Sequence, residues 1–351
     1  MKLSITYIIF SLSCVILTFF TYRILLWNKN LNITKKNDHG IRWASQSKPI
    51  LGGVGFYAAF IFSAMYYLVF VNYKDISSGM LWILVACSTI GLITGIIDDT
   101  KSSSPNFKFG MQIFIGIIFI VSGNHITCFS ISWVNYIVTV FWVVALMNSI
   151  NMLDNMDAIT TSVSAVILTL MILVGYTVNI ELFIPFIGLG VLISLLTFLN
   201  WNWNPSKMYM GDNGSQFLGA FIAFMGIKTL WNQHNINIPT IPTREISAVI
   251  LSFIVPISDT ATVTINRLKL GKSPFVGGRD HTTHHLSYMG LSERMVAITL
   301  ILISILFNLG SYYILCVVET FTAYHTLMCL SAALIAFLAL YSTTIFAKPN
   351  K

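Results

Sequence analysis

Four stretches of the chain carry side chains whose types and spacing could do chemistry. "GIIDDTKSSSPNFKFGMQ" (95–112) sets Asp98 beside Asp99 at the end of an apolar run, followed by Lys101 and Lys108. Adjacent like charges raise each other's pKa, an arrangement suited to a cation, a phosphate-bound metal or a base. The plainer reading is a solvated helix end partnered by Lys101. "NSINMLDNMDAI" (148–159) spaces Asn148, Asn151, Asp154 and Asp157 three apart, so that on a helix they form one polar stripe, where a lone Asn or Asp would be a cap. "NWNWNPSKMYMGDNGSQFLG" (200–219) puts Asp212 between glycines. Mg²⁺ takes one or two carboxylates and leaves its other positions to water and phosphate; an Asx turn capping the next helix fits that stretch as well. "PISDTATVTINRLKLGKSPFVGGRDHTTHHL" (256–286) runs from Asp259 through Arg267, Lys269, Lys272 and Arg279 to His281, His284 and His285. A zinc site would not surround itself with cations, whereas cations and imidazoles hold phosphates. Mg²⁺, carboxylates and a phosphate cradle are the equipment of phosphoryl transfer.

These residues must be positioned by membrane helices. The 351 residues are 56% hydrophobic and only 9% charged, against roughly 25% charged in soluble domains, and the mean hydropathy is +0.77. The expected architecture is an all-α integral membrane protein, one polytopic domain over residues 1–351. Its eleven apolar runs are 4–27, 52–73, 80–97, 109–123, 131–150, 158–178, 181–200, 216–230, 246–266, 293–316 and 322–345. The first reads as a retained helix, since no small-residue cleavage site follows it. The five cysteines are scattered and suggest neither a disulfide framework nor a metal-ligand spacing.

Loop charge sets the expected topology. The loops 28–51, 98–108, 151–157, 201–215 and 267–292, with the C-terminal tail, hold 14 of the 20 Lys and Arg residues, and the opposite loops hold Lys2, Lys74 and Arg244. The positive-inside rule makes the first set cytoplasmic, with the N-terminus outside and the C-terminus cytoplasmic. The net charge of +7 therefore reports topology and no nucleic-acid partner. Asp98–Asp99, the Asn/Asp series, Asp212 and the histidine segment all fall on that face, placing the active site in cytoplasmic loops.

In this order the motifs resemble the polyprenyl-phosphate N-acetylhexosamine-1-phosphate transferases, glycosyltransferase family 4, which includes the phospho-MurNAc-pentapeptide transferase and the GlcNAc-1-phosphate transferases. The resemblance covers Gly52–Gly53, Asp98–Asp99, Lys108, Gln112, the 148–157 series, Asn202-x-x-Pro205, Met210-Gly211-Asp212-x-Gly214-Ser215, and Pro256-x-x-Asp259 with the basic loop and histidines. It implies transfer of a HexNAc-1-phosphate, GlcNAc first, from a UDP-sugar to undecaprenyl phosphate in a bacterial plasma membrane. The products are UMP and a lipid-linked sugar that initiates a cell-envelope polysaccharide. By matching position, Asp212 is the expected Mg²⁺ ligand, with Mn²⁺ as substitute, and Asp98 and Asp99 deprotonate or position the lipid phosphate. Asn148, Asn151, Asp154, Asp157 and Asn202 line the nucleotide-sugar pocket, Lys108 lies near phosphate, and Arg279, His281, His284 and His285 bind substrate. The histidine segment is closer to the GlcNAc branch, and a homodimer is common in the family. Two departures stand out, both expected to bear on sugar selectivity. Asn155 and Ala158 replace the glycines of Asp-Gly-x-Asp-Gly, and two residues, Thr282 and Thr283, follow the first histidine where the family has one.

Two other classes make different demands. A lipid or sugar-phosphate transporter needs ionisable groups near mid-span and repeat symmetry, and a membrane anchor explains the lysines while leaving the acidic motifs unused.

Overall fold

The computed structural model describes residues 2–28, 48–71, 78–233, 242–273 and 278–347. Much of the first basic loop, residues 29–47, and the tail after Ala347 lie outside them. Thirteen helices are found among the described residues: α1 (Lys2–Trp27), α2 (Gly52–Tyr66), α3 (Ser78–Lys101), α4 (Pro105–Val121), α5 (Ser132–Leu153), α6 (Ile159–Thr177), α7 (Phe183–Asn202), α8 (Gly211–Gly226), α9 (Pro242–Ser252), α10 (Ile254–Lys269), α11 (Thr282–Tyr288), α12 (Glu293–Cys316) and α13 (Ala323–Phe346). π-helical turns at Tyr67–Val71 and Ile227–Trp231 extend α2 and α8. Strand-type pairing is limited, among the described residues, to a parallel bridge between Ile50 and Tyr209.

All eleven apolar runs carry helix. Eight helices are long and apolar enough to cross a membrane, nine if the bent pair α9–α10 counts as one span. The other two runs differ for physical reasons. In α4 the apolar stretch is short, seventeen residues, opened by Ser104, whose side chain accepts from Phe107 N, and by Pro105 at its first position. Helix α8 is enclosed by its neighbours: every side chain from Asn213 to Gly226 is buried. It therefore tolerates the polar Asn213, Ser215 and Gln216 that a lipid-facing helix would not. The outer helices show the reverse, with Phe141 70%, Ile335 68% and Leu306 66% exposed where hydrocarbon would lie.

The bend between α9 and α10 is 77°. Pro256 causes it, because proline has no N–H to give the carbonyl of Ser252. That carbonyl instead accepts Asn308 Nδ2 from α12 at 3.2 Å. A polar side chain thus satisfies a backbone group that water cannot reach. The break points the second half, α10, at the end of the bundle where the polar loops converge.

At that end α3 and α8 meet with almost no space between their backbones. A Cβ on Gly95 would lie 2.1 Å from the Asp212 carbonyl oxygen and 2.5 Å from Asn213 Cα, so only glycine permits this approach. Gly95→Ala is expected to cost about 1–3 kcal/mol of stability through overpacking, read as a lower unfolding midpoint of the detergent-solubilised protein. Gly79→Ala, on the same helix with nothing within 4 Å, is expected to leave the midpoint unchanged.

Candidate active site

The N-terminus of α8 is the centre of the site. Met210 and Gly211 lead into it, Gly211 with φ +76°, a left-handed turn that glycine adopts without strain. The first turn's free N–H groups are not capped from within. They are taken by Asp99 on α3: Oδ1 accepts Asp212 N at 3.2 Å, and Oδ2 accepts Asn213 N at 2.9 Å and Asn213 Nδ2 at 2.6 Å. Asp99 is 5% exposed. Its negative charge also sits at the positive end of the helix dipole.

Asp99 and Asp98 therefore have separate duties. Asp98, equally buried, accepts Lys108 Nζ at 3.0 Å and Ser103 Oγ at 2.7 Å. Its cation comes from α4, not from the neighbouring Lys101. Lys108 keeps about a quarter of its side chain open, and its ammonium is held by Asp98.

Asp212 projects from the same turn that Asp99 secures, partly open. Its Oδ1 accepts Asn151 Nδ2 at 2.5 Å, and the same amide donates to Ser215 Oγ at 2.8 Å. One turn back on α5, Asn148 donates to Gln112 Oε1 at 2.6 Å, and Gln112 donates to Gln216 Oε1 at 3.2 Å. A chain of amides thus ties α5, α4 and α8 together.

The expected single polar stripe is corrected here. Helix α5 ends at Leu153, so Asn148 and Asn151 share its face while Asp154 and Asp157 lie in the turn beyond. The turn is stabilised by Asn155, whose Nδ2 donates to Met152 O at 2.9 Å, and it closes at Ala158 with φ +65°. Asp154 stays partly open. Asp157 turns away to organise the segment after α7: it accepts Ser206 N at 2.9 Å, Ser206 Oγ at 2.7 Å and Asn204 Nδ2 at 3.1 Å. Asn202, 3% exposed, accepts Thr161 Oγ1 at 2.6 Å and donates to Met208 O at 3.1 Å. Both are anchors beneath the site.

The histidine segment is fastened by α10. Asp259 accepts His281 Nδ1 and Thr282 N, each at 2.8 Å. Two turns later Arg267 makes a two-pronged pair with Asp280, Nε to Oδ2 at 2.8 Å and Nη2 to Oδ1 at 2.7 Å. The expectation that all four cations of this loop form a phosphate cradle is corrected accordingly. Arg267 is buried against Asp280, and Lys269 donates to Tyr341 Oη at 2.8 Å, while Arg279 is exposed. The three imidazoles also diverge. His281 Nδ1 faces Asp259, His284 Nδ1 accepts His281 N at 3.3 Å, and His285 Nδ1 reaches the Ala347 carbonyl at 2.9 Å. A carbonyl only accepts, so Nδ1 of His285 carries its proton. Burial, reinforced by the neighbouring His281, pushes His284 down to about 3, against the pull of Asp259 and Asp280. Burial alone would raise the Asp280 carboxyl, but the Arg267 fork holds it below its usual value.

The donor set suits a hard cation. Among the described residues no group of three or more His, Cys, Asp or Glu is placed to hold a metal. A partly open Asp212 with Asp154 in the adjoining turn matches an ion that takes one or two carboxylates and completes its shell with water and phosphate. Sequence reasoning missed the side chains that hold this arrangement: Ser103, Asn204, Ser206, Asn213 and Glu293, the last accepting Asn204 Nδ2 at 2.7 Å. Polar residues flanking the motifs were the only signal for them.

A family model, glycosyl transferase family 4, matches residues 81–230. This family segment spans α3 through α8 and includes Asp98, Asp99, Lys108, the 148–157 series, Asn202 and Asp212. Relatives extend beyond it. The chain is 30% identical over 230 residues, 63% of its length, to a probable undecaprenyl-phosphate N-acetylglucosaminyl 1-phosphate transferase of Bacillus subtilis, and spans 62% of that protein. It is 28% identical over 266 residues to phospho-N-acetylmuramoyl-pentapeptide-transferases of Staphylococcus aureus, covering 70% of this chain and 78% of theirs.

The depressed His284 gives a pH prediction. Its folded pKa of about 3 lies below the ordinary 6.5, so the unfolded chain binds a proton that the folded one refuses. Its contribution is intact above pH 6.5 and is lost as pH falls toward 3. The unfolding midpoint is expected to fall between pH 7.5 and 4.5, with a shallower slope in His284→Gln.

Proposed function

We propose that the protein transfers N-acetylglucosamine-1-phosphate from UDP-GlcNAc to undecaprenyl phosphate at the cytoplasmic face of a bacterial plasma membrane, releasing UMP. The observation that carries this reading is Asp212, held partly open at the start of α8 by Asn151, on a turn whose backbone Asp99 fastens, at the end of a lipid-facing bundle. The name of the Bacillus relative supports the sugar, and the family segment supports the class. Both fit a site that must meet a soluble nucleotide sugar and a membrane-bound lipid at once.

In the reaction an oxygen of the lipid phosphate forms a bond to the β-phosphorus of the UDP-sugar, and the bond from that phosphorus to the bridging oxygen breaks, leaving UMP. A phosphate monoester has a second pKa near ~6, so the attacking group is largely ionised at neutral pH. The protein's task is then mainly positioning and charge stabilisation. Lys108, aimed by Asp98, neutralises phosphate charge. Asn151 and Asp154 face the nucleotide sugar, and Arg279 and His281 approach from the histidine segment. Asp212 would hold a Mg²⁺ ion, which when bound would neutralise charge on the pyrophosphate. Asp99, Asp157 and Asn202 act through the backbone they hold.

The test is UMP release by purified protein with undecaprenyl phosphate, Mg²⁺ and a panel of UDP-sugars. Lipid-dependent release with UDP-GlcNAc is expected, and Asp212→Asn is expected to lower turnover by about 100-fold or more. Release only from UDP-MurNAc-pentapeptide would move the protein to the function named for the Staphylococcus relatives. No release from any sugar would overturn the transferase reading.

A further inference from the structure

Three elements of the site meet at one side-chain amide. Asn155 lies half-buried in the turn after α5, directly following Asp154. Its Oδ1 accepts the hydroxyl of Thr283 on α11 at 2.6 Å, and its Nδ2 caps Met152 O at 2.9 Å. The same Nδ2 stands 3.5 Å from Asp259 Oδ2, the oxygen that orients His281. Thr283 is fully buried, with His284 as its immediate neighbour. The turn that carries Asp154 and the helix that carries the imidazoles are therefore tied side chain to side chain. Without the amide, α11 keeps its fastenings to α10 but loses this one to the turn.

We infer that the Asn155–Thr283 hydrogen bond is the specificity-determining link of this site, fixing the gap between the acidic turn and α11 and thereby setting which hexosamine the nucleotide sugar can carry. The inference rests on the transferase reading. Sugars that differ in the direction of one hydroxyl are told apart only by polar groups held within about 0.5 Å of their working positions. This link joins the residue following Asp154 to the helix that follows His281. Asn155 and Thr283 act as positioning residues, so their removal changes discrimination between sugars more than it changes turnover of the preferred one.

The experiment measures kcat/KM for UDP-GlcNAc and UDP-GalNAc, with undecaprenyl phosphate and Mg²⁺, in the full-length protein, Asn155→Gly, Thr283→Val, the double variant and Thr283→Ser. Each of the first two is expected to reduce the ratio of preferred to disfavoured sugar by about tenfold. The double variant is expected to lose no more than the worse single, because the two remove one interaction, and Thr283→Ser, which keeps the hydroxyl, is expected to retain the ratio. A merely unfolded fraction lowers both sugars equally and leaves the ratio untouched. A ratio unchanged in active Asn155→Gly and Thr283→Val, or a double variant equal to the product of the singles, would overturn the link. Wild-type protein that releases no UMP from either sugar, or from any other, fails at the earlier step and overturns the transferase reading together with what rests on it.

Discussion

The grip of one carboxylate on the start of one helix is what the rest of the site depends on. Asp99 takes two backbone N–H groups and a side-chain amide from the first turn of α8. A helix ending among other helices cannot leave those donors unmet. Meeting them from α3 fixes α8 along its axis and in rotation, and so fixes where Asp212 points. Gly95 makes this possible by letting the two backbones touch. Asn213 extends the grip to Ile50 O at 2.8 Å, so the segment entering α2 is tied to the same point.

A second consequence concerns how polar groups are shared between holding and reacting. Asp99, Asp157, Asn202 and Asp259 are all buried, and each accepts or donates at least two hydrogen bonds to fixed partners. Asn151, Asp154, Asp212 and Lys108 remain partly open at the ends of those networks. The division follows from the cost of burying charge in an apolar bundle. A carboxylate that is to meet substrate must be partly wet, and the groups that aim it must be dry and fully satisfied. Asp259 and Arg267, two turns apart on the bent α10, do for the histidine segment what Asp99 does for α8.

Much of this was legible in the sequence. The apolar runs marked where helices form, because hydrocarbon leaves helices little choice of composition, and the structure brings motifs from separate loops together at one end of the bundle. The even spacing of Asn148, Asn151, Asp154 and Asp157 misled, since periodicity cannot show that α5 stops at Leu153 once Asn155 offers Met152 O a partner. The cations of the last loop misled in another way. Composition counts Arg267 as available, and only the fold brings Asp280 against it. Asn155 was visible as a departure from a pattern, but its partner lies 128 positions away, beyond any local signal.

The central claim is that Asp99 acts through α8 and not on substrate. Hydrogen–deuterium exchange of the backbone amides of Gly211–Ser215 tests it most directly, comparing wild type, Asp99→Asn and Asp98→Asn. The account predicts that protection of the Asp212 and Asn213 amides falls in Asp99→Asn and stays at the wild-type level in Asp98→Asn. Full protection of those amides in Asp99→Asn would contradict it and would return Asp99 to the substrate.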